Sequence, residues 1–171
     1  MRKKWIALLT GLVIVVSLLI FLNSNLFVEI VLKQKFVADE VAVFNAGNRT
    51  FVTYTQTDGF NCTSVFCEEI KRRLIGWKII PCGGGVGTTG AYGVGGNCMT
   101  PEYQVYWGYT SNHDADSAKL TFDNSEQQFS VNSPLKSGFY LFVTEPSAMP
   151  PYNLTHVDFY SEDILLISIQ R

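Results

Sequence analysis

Histidine is nearly missing from this chain: of 171 residues only His113 and His156 carry an imidazole. Catalysis by a serine or cysteine nucleophile leans on such a base, and neither G-x-S-x-G nor H-E-x-x-H occurs. His156 falls in the alternating stretch Leu154 to Phe159 and reads as a solvent-facing strand residue. Close cysteine pairs are missing too. Cys62, Cys67, Cys82 and Cys98 are separated by 4, 14 and 15 residues, whereas zinc sites are built on pairs such as C-x2-C. Charged residues make up only 16% of the chain, against 13% aromatic and 47% hydrophobic, a composition that packs a core and excludes a disordered tail.

Basic clusters are equally scarce. Beyond the N-terminus only Lys71-Arg72-Arg73 qualifies, and Glu68 and Glu69 precede it at helical spacing, as in a solvated, ion-paired face. Of 13 basic residues, Arg2, Lys3 and Lys4 stand at the start, leaving 10 against 15 acidic ones. That balance excludes nucleic acid as a partner. Cofactor loops fail for want of a helix. Gly85 to Gly90 matches G-x-G-x-x-G, yet Ala91 to Gly96 cannot open the helix that a dinucleotide needs, and Ala91 stands where a P-loop has lysine. Asp114 and Asp116 start like a calcium loop, but Lys119 replaces its glycine and Ser125 its bidentate glutamate. No cofactor and no metal is expected.

What the chain does have begins at once. Arg2, Lys3 and Lys4 precede Trp5 to Leu22, a run without charge. As a helix it reaches about 27 Å, close to a bilayer's hydrocarbon thickness. Cations before the span and none directly after it predict a cytoplasmic N-terminus with everything beyond Asn23 outside. The run is longer than a signal peptide's apolar region, and Leu22-Asn23-Ser24 is a poor cleavage site; a cleaved signal would export the rest of the chain equally. Residues 1–22 are therefore read as a signal-anchor and 23–40 as a juxtamembrane stalk, helical over Leu26 to Val37. Glu29 keeps that stalk out of the hydrocarbon.

Residues 41–171 read as one disulfide-bonded ectodomain, mainly β (α+β), a single antiparallel β-rich unit with one short helix. Val41–Phe44 and Thr50–Thr55 flank the turn Asn45 to Asn48 as a hairpin. Ser64 caps a predicted helix to about Leu74, with Phe66, Ile70 and Leu74 on one face. Trp77 to Ile80 form a strand closed by Pro81. Cys82 to Cys98 enclose eight of the chain's 14 glycines, a loop costly to order. Six further strands come after it as a meander, giving about nine strands.

In an exported domain disulfides are the default. Cys82–Cys98 with Cys62–Cys67 is the favoured pairing, the first bridge contributing about 3 kcal/mol. A nested pattern, Cys67–Cys82 with Cys62–Cys98, stays open. Asn48-Arg49-Thr50, Asn61-Cys62-Thr63 and Asn153-Leu154-Thr155 match the glycosylation pattern, which has meaning only in a secretory eukaryotic cell.

The order of basic start, single span, hairpin, a helix ending in Gly76-Trp77-Lys78, glycine loop and "YWGY" at Tyr106 to Tyr109 resembles a loose group of small single-pass extracytoplasmic proteins of Gram-positive bacteria. The chain departs from that group at Ile79 and in its four cysteines. The resemblance implies topology and carries over no functional residue. Two functions stand as expectations. One is a membrane-anchored cell-envelope protein that binds an envelope protein or wall component without catalysis. The alternative is a cell-wall-directed hydrolase using a pair of carboxylates.

Overall fold

The computed structural model describes residues 2–22, 24–60, 62–73, 76–88, 91–93, 96–100, 102–123, 128–144 and 153–171. The turn expected at Asn124-Ser125, that expected over Pro146 to Asn153 except its last residue, and part of the glycine loop lie outside them. Two helices come first, α1 (Arg2–Leu22) and α2 (Asn25–Phe36). Ser24 both ends one and starts the other. Its hydroxyl donates to the Phe21 carbonyl at 2.7 Å and accepts from the Phe27 amide at 3.1 Å.

Twelve strands are described. They are β1 (Val41–Ala46), β2 (Arg49–Thr57), β3 (Thr63–Arg72), β4 (Trp77–Gly87), β5 (Tyr92–Gly93) and β6 (Asn97–Met99). After them come β7 (Gln104–Thr110), β8 (Ser117–Asp123), β9 (Gln128–Pro134), β10 (Phe139–Thr144), β11 (Asn153–Ser161) and β12 (Ile164–Gln170). An outer sheet has the order β1-β2-β3-β4, a central one β10-β7-β5 with β6 also on β7, and a far one β12-β11-β8-β9. All pairings are antiparallel. The fold is mainly β, as expected, but it is no meander: consecutive β7 and β8 belong to different sheets.

The layers arise from which faces are apolar. Val28 and Leu32 of α2 are buried against Val43, Val52 and Ile70 on one face of the outer sheet. The opposite face of that sheet, through Phe51, Val65 and Cys67, meets Val105, Trp107 and Phe139 of the central sheet. The central sheet's second face, through Tyr106 and Tyr140, meets Leu120, Phe122 and Phe159 of the far sheet. The order is thus helix, sheet, sheet, sheet. Strand β7 is the buried centre: its odd residues Val105 and Trp107 point one way, Tyr106 the other, so "VYW" is apolar throughout where a half-exposed strand would alternate.

Gly108 completes that arrangement. It pairs directly with Tyr140, and a Cβ built on it would lie 2.3 Å from the Tyr140 hydroxyl. The Tyr140 ring occupies the space that a side chain at position 108 would need. Gly108→Ala is expected to cost about 1–3 kcal/mol by overpacking, read as a lowered urea midpoint at unchanged slope.

Three expectations are corrected. The helix from Ser64 to Leu74 is strand β3. Phe66 and Ile70 are four apart, a spacing that serves a period of two as well as one of 3.6. Val65, Cys67 and Glu69, alternating with them, are buried on the other face, and pairing with β2 and β4 on both sides decides for the strand. Second, Pro81 does not close β4, which runs on to Gly87 through register shifts. Third, the single spanning helix is not established. Among the described residues no single helix is long and apolar enough to cross a membrane, while Leu8–Leu22 and Leu26–Phe36, bent by 58°, pass only together. The second of these is not a free stalk, because it packs on the outer sheet. Glu29 on it faces Lys136 at 3.8 Å.

Candidate functional site

The strand reading of β3 places a carboxylate in the core. Val65, Cys67 and Glu69 share the face that meets the central sheet, and Glu69 is only 4% exposed. On β2, Arg49 is in phase with buried Phe51, and Phe51 is the direct partner of Glu69. Arg49 comes just after a turn at Gly47 (φ +60°), so its long side chain starts at the sheet's end and reaches inward.

From the connection between β6 and β7 come Glu102 and Tyr103. Thr100 shapes their approach: its hydroxyl accepts from the Glu102 and Tyr103 amides at 3.2 and 3.1 Å, and its amide donates to the Tyr103 carbonyl at 2.8 Å. The result is a continuous polar chain. Arg49 Nη2 donates to Glu102 Oε2 at 2.5 Å and Nη1 to Glu69 Oε1 at 2.8 Å. The Tyr103 hydroxyl donates to Glu69 Oε2 at 3.1 Å and lies 3.8 Å from Cys82 Sγ. The guanidinium also sits 4.4 Å from the centre of the Tyr103 ring, a cation–π contact. Glu69, the buried charge, therefore has both carboxylate oxygens engaged.

These contacts set the electrostatics. The hydrogen bond to Glu102 raises the Arg49 guanidinium above its ordinary value, and the same bond holds the Glu102 carboxyl low. Burial pushes the Tyr103 phenol up. Neither carboxylate is arranged as a proton donor: Glu102 is held ionised, and Glu69 is spanned by Arg49 and Tyr103. The two-carboxylate hydrolase of the sequence reading finds no free acid in this pair.

Arg49 is also a wall between two clefts. One, about 640 Å3, is lined by Asn45, Arg49, Thr50, Glu69 and Lys71; the other, about 540 Å3, by Arg49, Glu102, Tyr103, Val143 and Thr144. Amide, hydroxyl and ammonium groups face the first, which suits a polar ligand with anionic or carbonyl oxygens. Lys71 and its neighbours do not form the helical ion-paired face expected with Glu68 and Glu69. Glu69 goes to Arg49, while Glu68 lies on the α2 side near the Tyr54 hydroxyl at 3.5 Å, its carboxyl raised mainly by burial.

The four cysteines are free thiols in this structure. Cys62 is exposed ahead of β3, and Cys67, Cys82 and Cys98 lie on β3, β4 and β6. The strand from Thr63 onward separates Cys62 from Cys67 by about 16 Å, beyond the roughly 7 Å that a bridge allows. The Cys62–Cys67 pairing is therefore corrected. Its premise was the helix. Cys67, Cys82 and Cys98 pack in or against the core between the outer and central sheets, with none of them bridged. Among the described residues no group of three His, Cys, Asp or Glu could hold a metal ion. Arg2, Lys3 and Lys4 open α1.

Arg49, Glu69, Glu102 and Tyr103 were not singled out from sequence. A signal existed: Val65-x-Cys67-x-Glu69 puts a carboxylate in phase with two core residues, and Arg49-x-Phe51 does the same for a guanidinium. Comparison with family models, curated proteins and solved structures returns no match for this chain.

Proposed function

We propose that this protein is a membrane-anchored binding module of a cell envelope, with its N-terminus cytoplasmic and its β stack outside, taking a wall component or envelope partner in the cleft beside Arg49. The observation that carries the anchor is α1 itself. Trp5, Leu8, Leu12, Val15, Leu19 and Ile20 are exposed around its girth, whereas α2, one turn later, buries its apolar residues on the outer sheet. A helix apolar on every side needs an apolar solvent. The charge-free run of α1, Trp5–Leu22, measures about 27 Å, near the thickness of a bilayer core, and passes as a span only together with Leu26–Phe36. Docking of α2 would hold the domain close to the headgroups.

Binding without turnover is supported by the engaged state of Glu69 and Glu102 and by the polar lining of the cleft. Lys71 and Arg72, both exposed, are cations that this cleft offers to a ligand. The full-length protein in detergent micelles, titrated with soluble anionic wall fragments, should bind saturably and leave the fragments intact. Lys71→Gln should weaken binding about ten-fold, one charge-assisted hydrogen bond. Cleavage of the fragments would overturn the reading in favour of a hydrolase, and equal affinity in the variant would move the site elsewhere.

A further inference from the structure

Strand β3 leaves Cys82 of β4 without a direct partner, as it does Gly84 and Gly85. Cys67 pairs with Gly83 and Glu68 with Pro81, so Cys82 is the extra residue of a β-bulge. A bulge re-aims its side chain, and this one turns into the core between the outer and central sheets, 6% exposed, beside Cys67 and Tyr103. Cys98 reaches the same core from the central sheet, where it pairs with buried Val105, and is half-buried at its margin. The Cys82 sulfur lies 3.8 Å from the Tyr103 hydroxyl, and Cys67, Cys82 and Cys98 pack into one core. Three thiols therefore share one pocket, and only two of them can be joined at a time.

We propose that Cys82 is the exchange centre of a three-thiol relay, in which a disulfide enters at half-exposed Cys98 and is passed through Cys82 to buried Cys67. The oxidant class is a small-molecule or protein disulfide, R–S–S–R. Cys98 gives its proton toward Cys82, and its thiolate attacks one sulfur of R–S–S–R. That breaks the S–S bond, forms Cys98–S–S–R and releases one R–S⁻. Cys82 yields the proton it took to the departing R–S⁻, and its thiolate then attacks Cys98 Sγ and expels the second R–S⁻, leaving Cys82–Cys98, which ties outer to central sheet. Two protein thiols have been oxidised, and R–S–S–R has been reduced to two thiols. Attack by Cys67 on Cys82 Sγ finally gives Cys67–Cys82 within the outer sheet and returns Cys98 as a thiol, with no net redox change.

The electrostatics favour Cys82 as the exchange centre and make the first attack by Cys98 the slow step. Hydrogen bonding from Cys67, together with that from Cys98 and Tyr103, lowers the Cys82 thiol to about 7 against the opposing effect of burial. Burial pushes Cys98 up to about 12 and Cys67 well above its ordinary value. The group between the other two is the best thiolate of the set. The inference rests on the packing of two sheets and is indifferent to the side of a membrane on which they lie.

The test uses the reduced full-length chain in detergent, exposed to excess 2-hydroxyethyl disulfide, then acid-quenched, alkylated and mapped without reduction at successive times. The expected internal bridges are Cys82–Cys98 first and Cys67–Cys82 later, with Cys62 in neither. Cys82→Ser should abolish internal bridging and leave the hydroxyethyl adduct on Cys98. Cys67→Ser should stop at Cys82–Cys98, and Cys98→Ser should slow bridging of Cys82 about ten-fold by closing the accessible entry. A Cys67–Cys98 bridge, any internal bridge to Cys62, or four unbridged thiols in the unmodified chain would overturn the proposal. That map decides the matter even if Cys82→Ser does not fold.

Discussion

Arg49→Ala is expected to destabilise the folded chain by about 3 kcal/mol, measured as a fall in the urea midpoint. The loss comes less from the missing contact than from what remains. Glu69 is 4% exposed and would be left with the Tyr103 hydroxyl as its one side-chain hydrogen-bond donor. Removing one partner of a buried pair costs about 3–5 kcal/mol; the Arg49 side chain is 22% exposed, which places the effect at the lower end. Glu102→Gln should leave the midpoint nearly unchanged, because its side chain is 66% exposed and water replaces the lost pair. Adding Glu69→Gln to Arg49→Ala should recover part of the stability by removing the orphaned charge. Additive losses instead would mean that the two residues are not energetically coupled.

Trp107→Ala should be at least as damaging, about 3–5 kcal/mol from a total that for a domain of this size is about 5–15 kcal/mol. Trp107 is fully buried and is the largest side chain between the outer and central sheets. Its indole also lies against Gly96, where an added Cβ would stand 2.3 Å from Cζ2 and 2.8 Å from Cε2 and Cη2. Gly96→Ala should therefore cost stability with Trp107 present and much less in a Trp107→Leu background. Thermal or urea unfolding of the four proteins of that cycle measures the coupling directly. Equal penalties for Gly96→Ala in both backgrounds would separate the two sites.

The most legible parts of the fold were those whose pattern admits one period. The hairpin Val41–Phe44 with Thr50–Thr55 was found as β1 and β2, and Ile164–Gln170 was found with the bounds of β12. Segment 64–74 was misread because its apolar spacing of four is common to helix and strand; only the partners on both edges distinguish them, and partners are not local. The same non-locality hid the layering. Nothing between Thr110 and Ser117 announces that the chain leaves one sheet for another. It also hid the polar chain, since Arg49, Glu69 and Glu102 are brought together by the pairing of β2 with β3 and by the central sheet packed on both. The cysteines were legible as a group but not as pairs: Cys82 is turned inward by a bulge, a register shift that composition does not encode. Glycine richness near Cys82 marked an irregular ladder without saying on which strand the extra residue falls.

The central claim, an anchored domain facing away from the cytoplasm, is tested most directly by protease added to intact protoplasts making the full-length protein. The account predicts that a C-terminal epitope disappears while a short fragment beginning before Trp5 survives, and that neutral residues in place of Arg2, Lys3 and Lys4 weaken this orientation. A full-length chain that stays protected until the membrane is lysed would contradict it.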